Sequence, residues 1–161
     1  MIDKSLVLQA LHDALTRDLQ SVTISQKRIQ EGATHSESRA ESDKDTRATE
    51  ASYVARGLAK RVSELQEAVS LLAAVKLRAF TNQDRVALTA IVTLEDDAEK
   101  QERYFVMPTG GGLRLDIHNQ TIGVITPQSP LGVAVLGKHI GDELTLRLPG
   151  GTRDMTIVDI L

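Results

Sequence analysis

The sequence predicts an α+β protein in which an N-terminal antiparallel coiled-coil helical hairpin precedes a small α+β domain. Two contrasts support this prediction. Residues 1–76 contain no proline and only two glycines, whereas residues 77–161 contain four prolines and nine glycines. Apolar residues recur every seven positions in the first part, and segments rich in Val, Ile and Thr alternate with turns in the second. We therefore predict a hairpin at 1–76 and an α+β domain at 77–161.

The hairpin is predicted from two apolar stripes with a seven-residue repeat. The first stripe contains Leu8, Leu15, Val22 and Ile29, and the second contains Ala51, Leu58, Leu65 and Leu72. Leu11 and Leu19 extend the first stripe; Val54, Val62, Ala68 and Val75 lie beside the second. A seven-residue repeat gives a narrow seam that must face another helix. The alternative is that both helices fold onto the rest of a compact domain.

The position of the bend follows from how the two stripes pair. Leu8 with Leu72, Leu15 with Leu65, and the two pairs that follow have residue numbers that add to 80, as an antiparallel hairpin requires. The bend is then predicted near Ala40, within a polar tip at 36–46. Helices of about 28 residues would be roughly 40 Å long at ~1.5 Å per residue.

The second part is predicted to form a mostly antiparallel sheet with one short helix. Strands are expected at 86–94, 102–107, 113–117, 121–125, 143–148 and 155–160. The helix is expected at 131–136, because Ser129 can cap it, Pro130 suits its first position and Gly137 suits its end.

Composition excludes several classes of function. The chain has no cysteine, which excludes disulfides, thiol catalysis and zinc sites that need thiolates. Four aromatic residues and a net charge of −3 argue against stacking on single-stranded nucleic acid or binding it through phosphates alone. No apolar run approaches the ~20 residues of a membrane span, and the first residues do not form a secretory signal. We expect a cytoplasmic protein.

Residues 127–151, from Pro127 through the run Ser-Pro-Leu-Gly to Pro-Gly-Gly, resemble the C-terminal domain of bacterial Gre-type transcription elongation factors. The match is dense over 122–160 and looser over 86–121. The resemblance implies an FK506-binding-protein-like fold that docks on RNA polymerase, and a hairpin that enters the polymerase secondary channel. It makes the turn of Ser129, Pro130, Leu131 and Gly132 the candidate polymerase contact, although a helix start alone would also explain these residues.

The resemblance further implies acidic residues at the hairpin tip. Gre cleavage factors carry an Asp and a Glu three residues apart, followed by a Tyr, and these carboxylates help the polymerase hold a second magnesium ion. The candidates here are Glu41, Asp43, Asp45 and Glu50. Aligning Tyr53 with the family Tyr selects Glu50 and puts Arg47 at the Asp position, whereas the seam arithmetic selects Glu41 and Asp43. A solvated loop that binds nothing is the competing interpretation.

The resemblance implies an accessory protein, not an enzyme, that has no cofactor of its own and uses magnesium only as RNA polymerase holds it. We expect a monomer that meets nucleic acid only within the polymerase complex and has no membrane partner. It would stimulate transcript cleavage or, with its divergent tip, inhibit or modulate transcription from the same channel. A generic coiled-coil adaptor and a peptidyl-prolyl isomerase are the remaining alternatives, and the second lacks an aromatic pocket in the sequence.

Overall fold

A computed structural model describes residues 2–36, 44–148 and 151–161. In chain order the elements are α1 (Lys4–Ser36), α2 (Lys44–Ala73), β1 (Ile91–Asp96), β2 (Gln101–Val106), β3 (Arg114–Ile117), β4 (Gln120–Ile125), α3 (Pro130–Val135), β5 (Glu143–Leu148) and β6 (Gly151–Ile160). The predicted fold class is confirmed. The chain forms two compact units, Met1–Leu11 with Leu71–Leu161, and His12–Ser70. The domain boundary at residue 76 stays a prediction.

The two long helices occupy the part of the sequence without proline. Helix α1 has 33 residues and α2 has 30. Asp3 caps the start of α1, because its Oδ1 accepts a hydrogen bond from the backbone N–H of Ser5 at 2.8 Å. The predicted bend near Ala40 falls between the end of α1 and the start of α2, outside the described residues. None of the helices in the described ranges is long and apolar enough to span a membrane.

In the unit His12–Ser70, the side chains of the predicted seam are buried at one end and become more exposed toward the other. Leu15 and Leu65 are 5% and 2% exposed. Val22 and Leu58 are half-buried. Val54, which the sequence placed beside the second stripe, is instead 51% exposed. Ala51 and Tyr53 are exposed as well, so the side chains described at 51–54 do not extend the buried stripe that the heptad count suggested.

The six strands of the other unit form one sheet in the order β3-β4-β2-β1-β6-β5. Strands β2 and β4 are parallel, and all other neighbours are antiparallel, which agrees with the predicted mostly antiparallel sheet. The β1 and β6 pair shifts register between Thr93 and Leu94. This pairing joins residues about sixty positions apart and places β6 between β1 and the edge strand β5.

Alternation along the strands gives the sheet two buried sets of side chains. One set packs with α3 and comprises Val86, Ala90, Val92, Leu94, Val106, Ile125, Val135, Leu144, Met155, Ile157 and Ile160. Residues of opposite parity, among them Ile91, Phe105 and Val124, are also nearly inaccessible. Val7, Leu11 and Leu72 belong to the same compact unit and are buried as well. The sheet is therefore buried on both faces over much of its area.

The first predicted strand, at 86–94, is wrong in its first half, because β1 begins only at Ile91. Val86 is buried, but its backbone pairs with the turn after α3: its N–H donates to Lys138 O at 2.8 Å, and its carbonyl accepts from Gly137 at 2.9 Å. Thr89 has a φ of 72°, a left-handed conformation that ends any extended run. Apolar character in this segment reflects core burial without strand pairing.

Candidate functional site

The predicted docking turn precedes and begins α3, and its hydrogen bonds match the predicted helix cap. The backbone N–H of Gly132 donates to Ser129 Oγ at 3.0 Å, and Ser129 Oγ donates to Thr126 O at 2.8 Å. Pro130 occupies the first turn of the helix, where its missing N–H costs nothing. After the helix, Gly137 has a φ of 77°, which fits its predicted role in ending it.

Gly132 has a structural requirement that explains why no other residue fits there. A Cβ on Gly132 would lie 1.9 Å from Thr126 O and 2.8 Å from Thr126 C. These are backbone atoms, which cannot move away as a flexible side chain would. The absence of a side chain thus lets α3 approach the preceding loop closely.

The four residues of the turn differ in how accessible they are to a partner. Pro130 is exposed, Ser129 is half-buried and Gly132 is buried. Leu131 is half-buried and packs against the core. Val133, which the sequence analysis did not single out, is 66% exposed on the same helix. A partner that contacts this turn would therefore meet Pro130 and Val133 more readily than Gly132.

The acidic residues predicted at the hairpin tip lie mostly beyond what the structure describes. Glu41 and Asp43 are outside the described residues, and Asp45 belongs to the first turn of α2, with its side chain outside the described set. Glu50 is exposed within α2. Among the described residues, no cluster of three or more His, Asp or Glu side chains is placed to hold a metal ion.

The structure also reveals a charged network that the sequence analysis missed. The Arg153 guanidinium on β6 donates to Asp96 Oδ2 at 2.7 Å, and to the two carboxylate oxygens of Glu102 at 3.1 and 3.2 Å. Tyr104 Oη donates to Glu102 Oε2 at 2.7 Å. Lys100 Nζ lies 3.2 Å from Glu102 Oε1. The network thus ties together three neighbouring strands of the sheet, β2, β1 and β6.

These contacts shift the acid–base properties of the network. The hydrogen bond from Tyr104, together with the bonds from Arg153 and Lys100, lowers the pKa of Glu102 to about 2. Burial and the adjacent Glu102 carboxylate raise the pKa of Tyr104 to about 12. Hydrogen bonds to Asp96 and Glu102 raise the pKa of Arg153 above its already high value. All three groups keep their charge state across the physiological range, so the network acts as a fixed charged scaffold.

The signal that could have revealed this network is the strand alternation itself. Glu102 and Tyr104 are two residues apart on β2 and therefore lie on one face. Their link to Arg153 needs the pairing of β1 with β6, which no local pattern specifies. Beside the network lies an open polar groove of about 330 Å³, lined in part by Tyr104, Arg114, Asn119 and Gly123.

Comparison with known proteins identifies the class to which this chain belongs. Residues 81–161 match the protein family described as "Transcription elongation factor, GreA/GreB, C-term". The matched segment makes up half of the chain and contains every strand of the sheet and α3. The chain therefore belongs to the GreA/GreB family, and the resemblance seen in its sequence motifs is confirmed.

Several known proteins are similar to this chain. Transcription elongation factor GreA of Syntrophus aciditrophicus (strain SB) is 33% identical over 101 residues, which cover 62% of this chain and 58% of that protein. GreA of Sulfurovum sp. (strain NBC37-1) is 34% identical over 102 residues, covering 63% and 59%. The match thus spans less than two thirds of each relative. The crystal structure of Thermus aquaticus Gfh1 is 24% identical, covers 94% of both chains and has a TM-score of 0.41.

Proposed function

We propose that this chain is an accessory factor of RNA polymerase that acts during transcript elongation. The observation that carries the proposal is the family match over 81–161, which coincides with the complete sheet of the structure. GreA relatives are named as transcription elongation factors. In this proposal the polymerase supplies the catalytic centre and the magnesium, and this chain supplies no chemistry alone. It would act in the cytoplasm, as a monomer, and meet nucleic acid only within the polymerase complex.

The two helices support a role in reaching a recessed site. A helix of 30 residues measures about 45 Å at ~1.5 Å per residue. In the unit His12–Ser70 few apolar residues are buried, among them Leu15 and Leu65, as expected for two helices that pack along a narrow seam. We propose that this pair enters the secondary channel of RNA polymerase, with the segment between Ser36 and Lys44 directed at the active centre.

The charged residues predicted at the tip bear on two possible functions, transcript cleavage and modulation without cleavage. Glu41, Asp43, Asp45 and Glu50 offer oxygen ligands, which suit magnesium. With carboxylates supplied there, the polymerase could hold a second metal ion and activate water for transcript cleavage. Arg39, Lys44 and Arg47 lie among these residues and partly neutralise them. A channel-binding modulator without cleavage activity is therefore the second candidate.

A transcript cleavage assay on stalled elongation complexes separates the two candidates. The cleavage proposal expects shortened RNA to accumulate faster when the full chain is added with magnesium. The modulator proposal expects unchanged cleavage together with a concentration-dependent change in elongation rate. If neither changes and the chain does not bind purified polymerase, the proposed function is wrong and a coiled-coil adaptor should be considered.

Docking through the start of α3 has its own test. Leu131 packs against the core, so its replacement would confuse folding with binding. Val133 is a cleaner position, because it is 66% exposed. Val133→Asp should weaken binding to purified polymerase at least severalfold, and Leu88→Asp, at another exposed apolar residue of the same unit, serves as the matched control. Equal binding by the two variants and the unmodified chain would remove α3 from the proposed interface.

A further inference from the structure

The sheet face that packs with α3 is covered at one side and open at the other. Val92 of the core set pairs with Tyr104 on β2. Tyr104 pairs in turn with Gly123 on β4, and Gly123 pairs with Arg114 on the edge strand β3. Residues that pair directly across neighbouring strands lie on one face of a sheet, so this row runs from the core to the edge. Burial falls along the row, from fully buried at Val92 to exposed at Arg114, and the open side forms the polar groove.

Tyr104 and Gly123 form the floor of the groove. A Cβ on Gly123 would lie 2.9 Å from Tyr104 Cδ1 and 3.0 Å from its Cε1, so the ring occupies the space that a side chain would fill. The Tyr104 hydroxyl donates to Glu102 Oε2 at 2.7 Å. Both ends of the tyrosine side chain are therefore held against the sheet, and Gly123 adds no side chain that would fill the groove.

The groove ends at a turn with an uncommon backbone conformation. His118 and Asn119 connect β3 to β4 and have φ values of 47° and 62°, in the left-handed region that few non-glycine residues adopt. A glycine at either position would relieve the turn. Asn119 and Gln120 both line the groove, and neither side-chain amide has a hydrogen-bond partner in the part of the chain that the structure describes. Both amides are therefore available as donors.

Arg114 is the charge of the groove that has no counter-ion. Among the described residues its guanidinium makes no ion pair and no hydrogen bond, although it has five N–H donors. Burial raises the pKa of Tyr104, and the positive charge of Arg114 opposes that rise, so the guanidinium lies within electrostatic reach of the phenol. Glu102 also lines the groove, but its oxygens already bind Tyr104, Arg153 and Lys100.

We infer that this groove binds a single glutamate or aspartate side chain exposed on a partner protein, with Arg114 as its ion-pair partner and Asn119 and Gln120 as further donors. The planar guanidinium presents paired N–H groups that match the two oxygens of a carboxylate. Asp116 lies two residues further on β3, on the same face, and its Oδ1 accepts from Thr121 Oγ1 at 2.6 Å. Its charge disfavours a second anion, so a lone carboxylate fits better than the closely spaced phosphates of nucleic acid.

An NMR titration of the full chain tests the inference, which goes beyond the proposed function and does not depend on it. The probe is a capped pentapeptide with a central glutamate between glycine and serine residues, and the same peptide with a central glutamine is the control. We expect the glutamate peptide to shift the Arg114 Nε–H and Gly123 N–H signals saturably, and the glutamine peptide to leave them unchanged. The net charge of −3 provides no general attraction for an anion, so such shifts report a local site. Equal shifts with the two peptides, or none with either, would overturn the inference.

Arg114→Gln and Arg147→Gln form a matched pair of variants, because Arg147 is also exposed but lies on β5, at the opposite edge of the sheet. Arg114→Gln should bind the glutamate peptide roughly tenfold more weakly, as expected for the loss of charge-assisted hydrogen bonds, and Arg147→Gln should bind it unchanged. Arg114→Lys keeps the charge without the planar fork and should bind with intermediate strength. Melting temperatures verify that each variant is folded. Equal binding by Arg114→Gln and the unmodified chain would show that the inference is wrong.

A short oligouridylate tests nucleic acid as the alternative occupant. The inference expects it to leave the Arg114 and Gly123 signals unchanged at concentrations where the glutamate peptide saturates them. If the oligouridylate shifts these signals at a lower concentration than the peptide, the groove binds phosphates of nucleic acid and the assignment of a protein carboxylate fails.

Discussion

The turn before α3 and the acidic residues of the hairpin are both candidate contacts, but they differ in what the fold demands of them. In the turn, Ser129 caps the helix and Gly132 makes room for Thr126 O. Along the outer part of α2, Glu50, Tyr53 and Val54 are exposed. The fold alone therefore explains which residues occupy the turn. It does not explain which residues occupy the exposed positions of the hairpin.

This difference limits what a motif can teach about function. The run from Ser129 to Gly132 is part of the family resemblance, yet the structure accounts for Ser129, Pro130 and Gly132 without a partner. Changes in the turn should therefore act first on stability. Changes at exposed hairpin residues should leave stability intact and act, if anywhere, on the interaction with a partner.

The largest effect on stability is expected from Gly132→Ala. Its Cβ would lie 1.9 Å from the backbone oxygen of Thr126, so the loop or α3 must move. We expect a loss of about 3 kcal/mol or more, at the upper end of single substitutions. Urea unfolding of the two proteins measures the difference.

Gly57→Ala is the matched control for this prediction. Gly57 also lies within a helix, but a Cβ there meets nothing within 4 Å. It should stabilise the protein by about 0.5–1 kcal/mol, because alanine is the better helix former. If both alanine variants shift stability in the same direction, close approach at Gly132 does not determine that position.

The next largest effect is expected at the seam. Leu65 is 2% exposed, and truncation of a buried leucine to alanine costs ~2–5 kcal/mol. Leu65→Ala should lower the melting temperature measured by circular dichroism at 222 nm. Gln66→Ala, one residue further on an exposed face, should hardly change it. Equal effects would mean that the heptad stripe does not form a seam.

A smaller, pH-dependent effect is expected from the charged network. Folding lowers the pKa of Glu102 from its ordinary value of 4.5 to about 2. A carboxyl group with a lowered pKa stabilises the fold fully above 4.5, and this contribution is lost as the pH falls from 4.5 toward 2. After allowance for solvent screening, we expect about 1–2 kcal/mol.

Glu102→Gln provides the check on this pH dependence. The amide cannot titrate, so the stability of the variant should fall less steeply between pH 4.5 and pH 2 than that of the unmodified chain. Asp96, whose pKa is also lowered by Arg153, should retain a smaller slope in the variant. Parallel stability curves for the two proteins over this range would contradict the role assigned to Glu102.

Local patterns predicted much of this fold, and the exceptions have physical causes. The helix cap at Ser129 and the stop at Gly137 depend on neighbours within a few residues, so the sequence reveals them. The bond between Glu102 and Arg153 joins residues 51 positions apart and requires the strand order. The run 86–90 was mistaken for strand because burial of Val86 gives the same apolar signal as strand pairing. The exposure of Val54 is a second exception, because a seven-residue repeat does not specify which of its side chains a partner covers.

The smallest effect on stability, and the most informative one for function, is expected from alanine at Glu41 and Asp43. Both residues are charged and lie outside the predicted apolar stripes, so the double variant should stay within about 0.5 kcal/mol of the unmodified chain. It should also bind purified polymerase equally well, if docking rests on the sheet unit. Under the cleavage proposal it should lose its effect on stalled complexes, whereas Glu99→Ala, at an exposed turn of the sheet unit, should retain it.

Glu50→Ala distinguishes the two ways of locating the tip residues. If Glu50→Ala abolishes stimulation of cleavage and the double variant at Glu41 and Asp43 retains it, the alignment through Tyr53 is favoured. If both of these variants behave like Glu99→Ala, the carboxylates only solvate the connection, and modulation without cleavage becomes the better account.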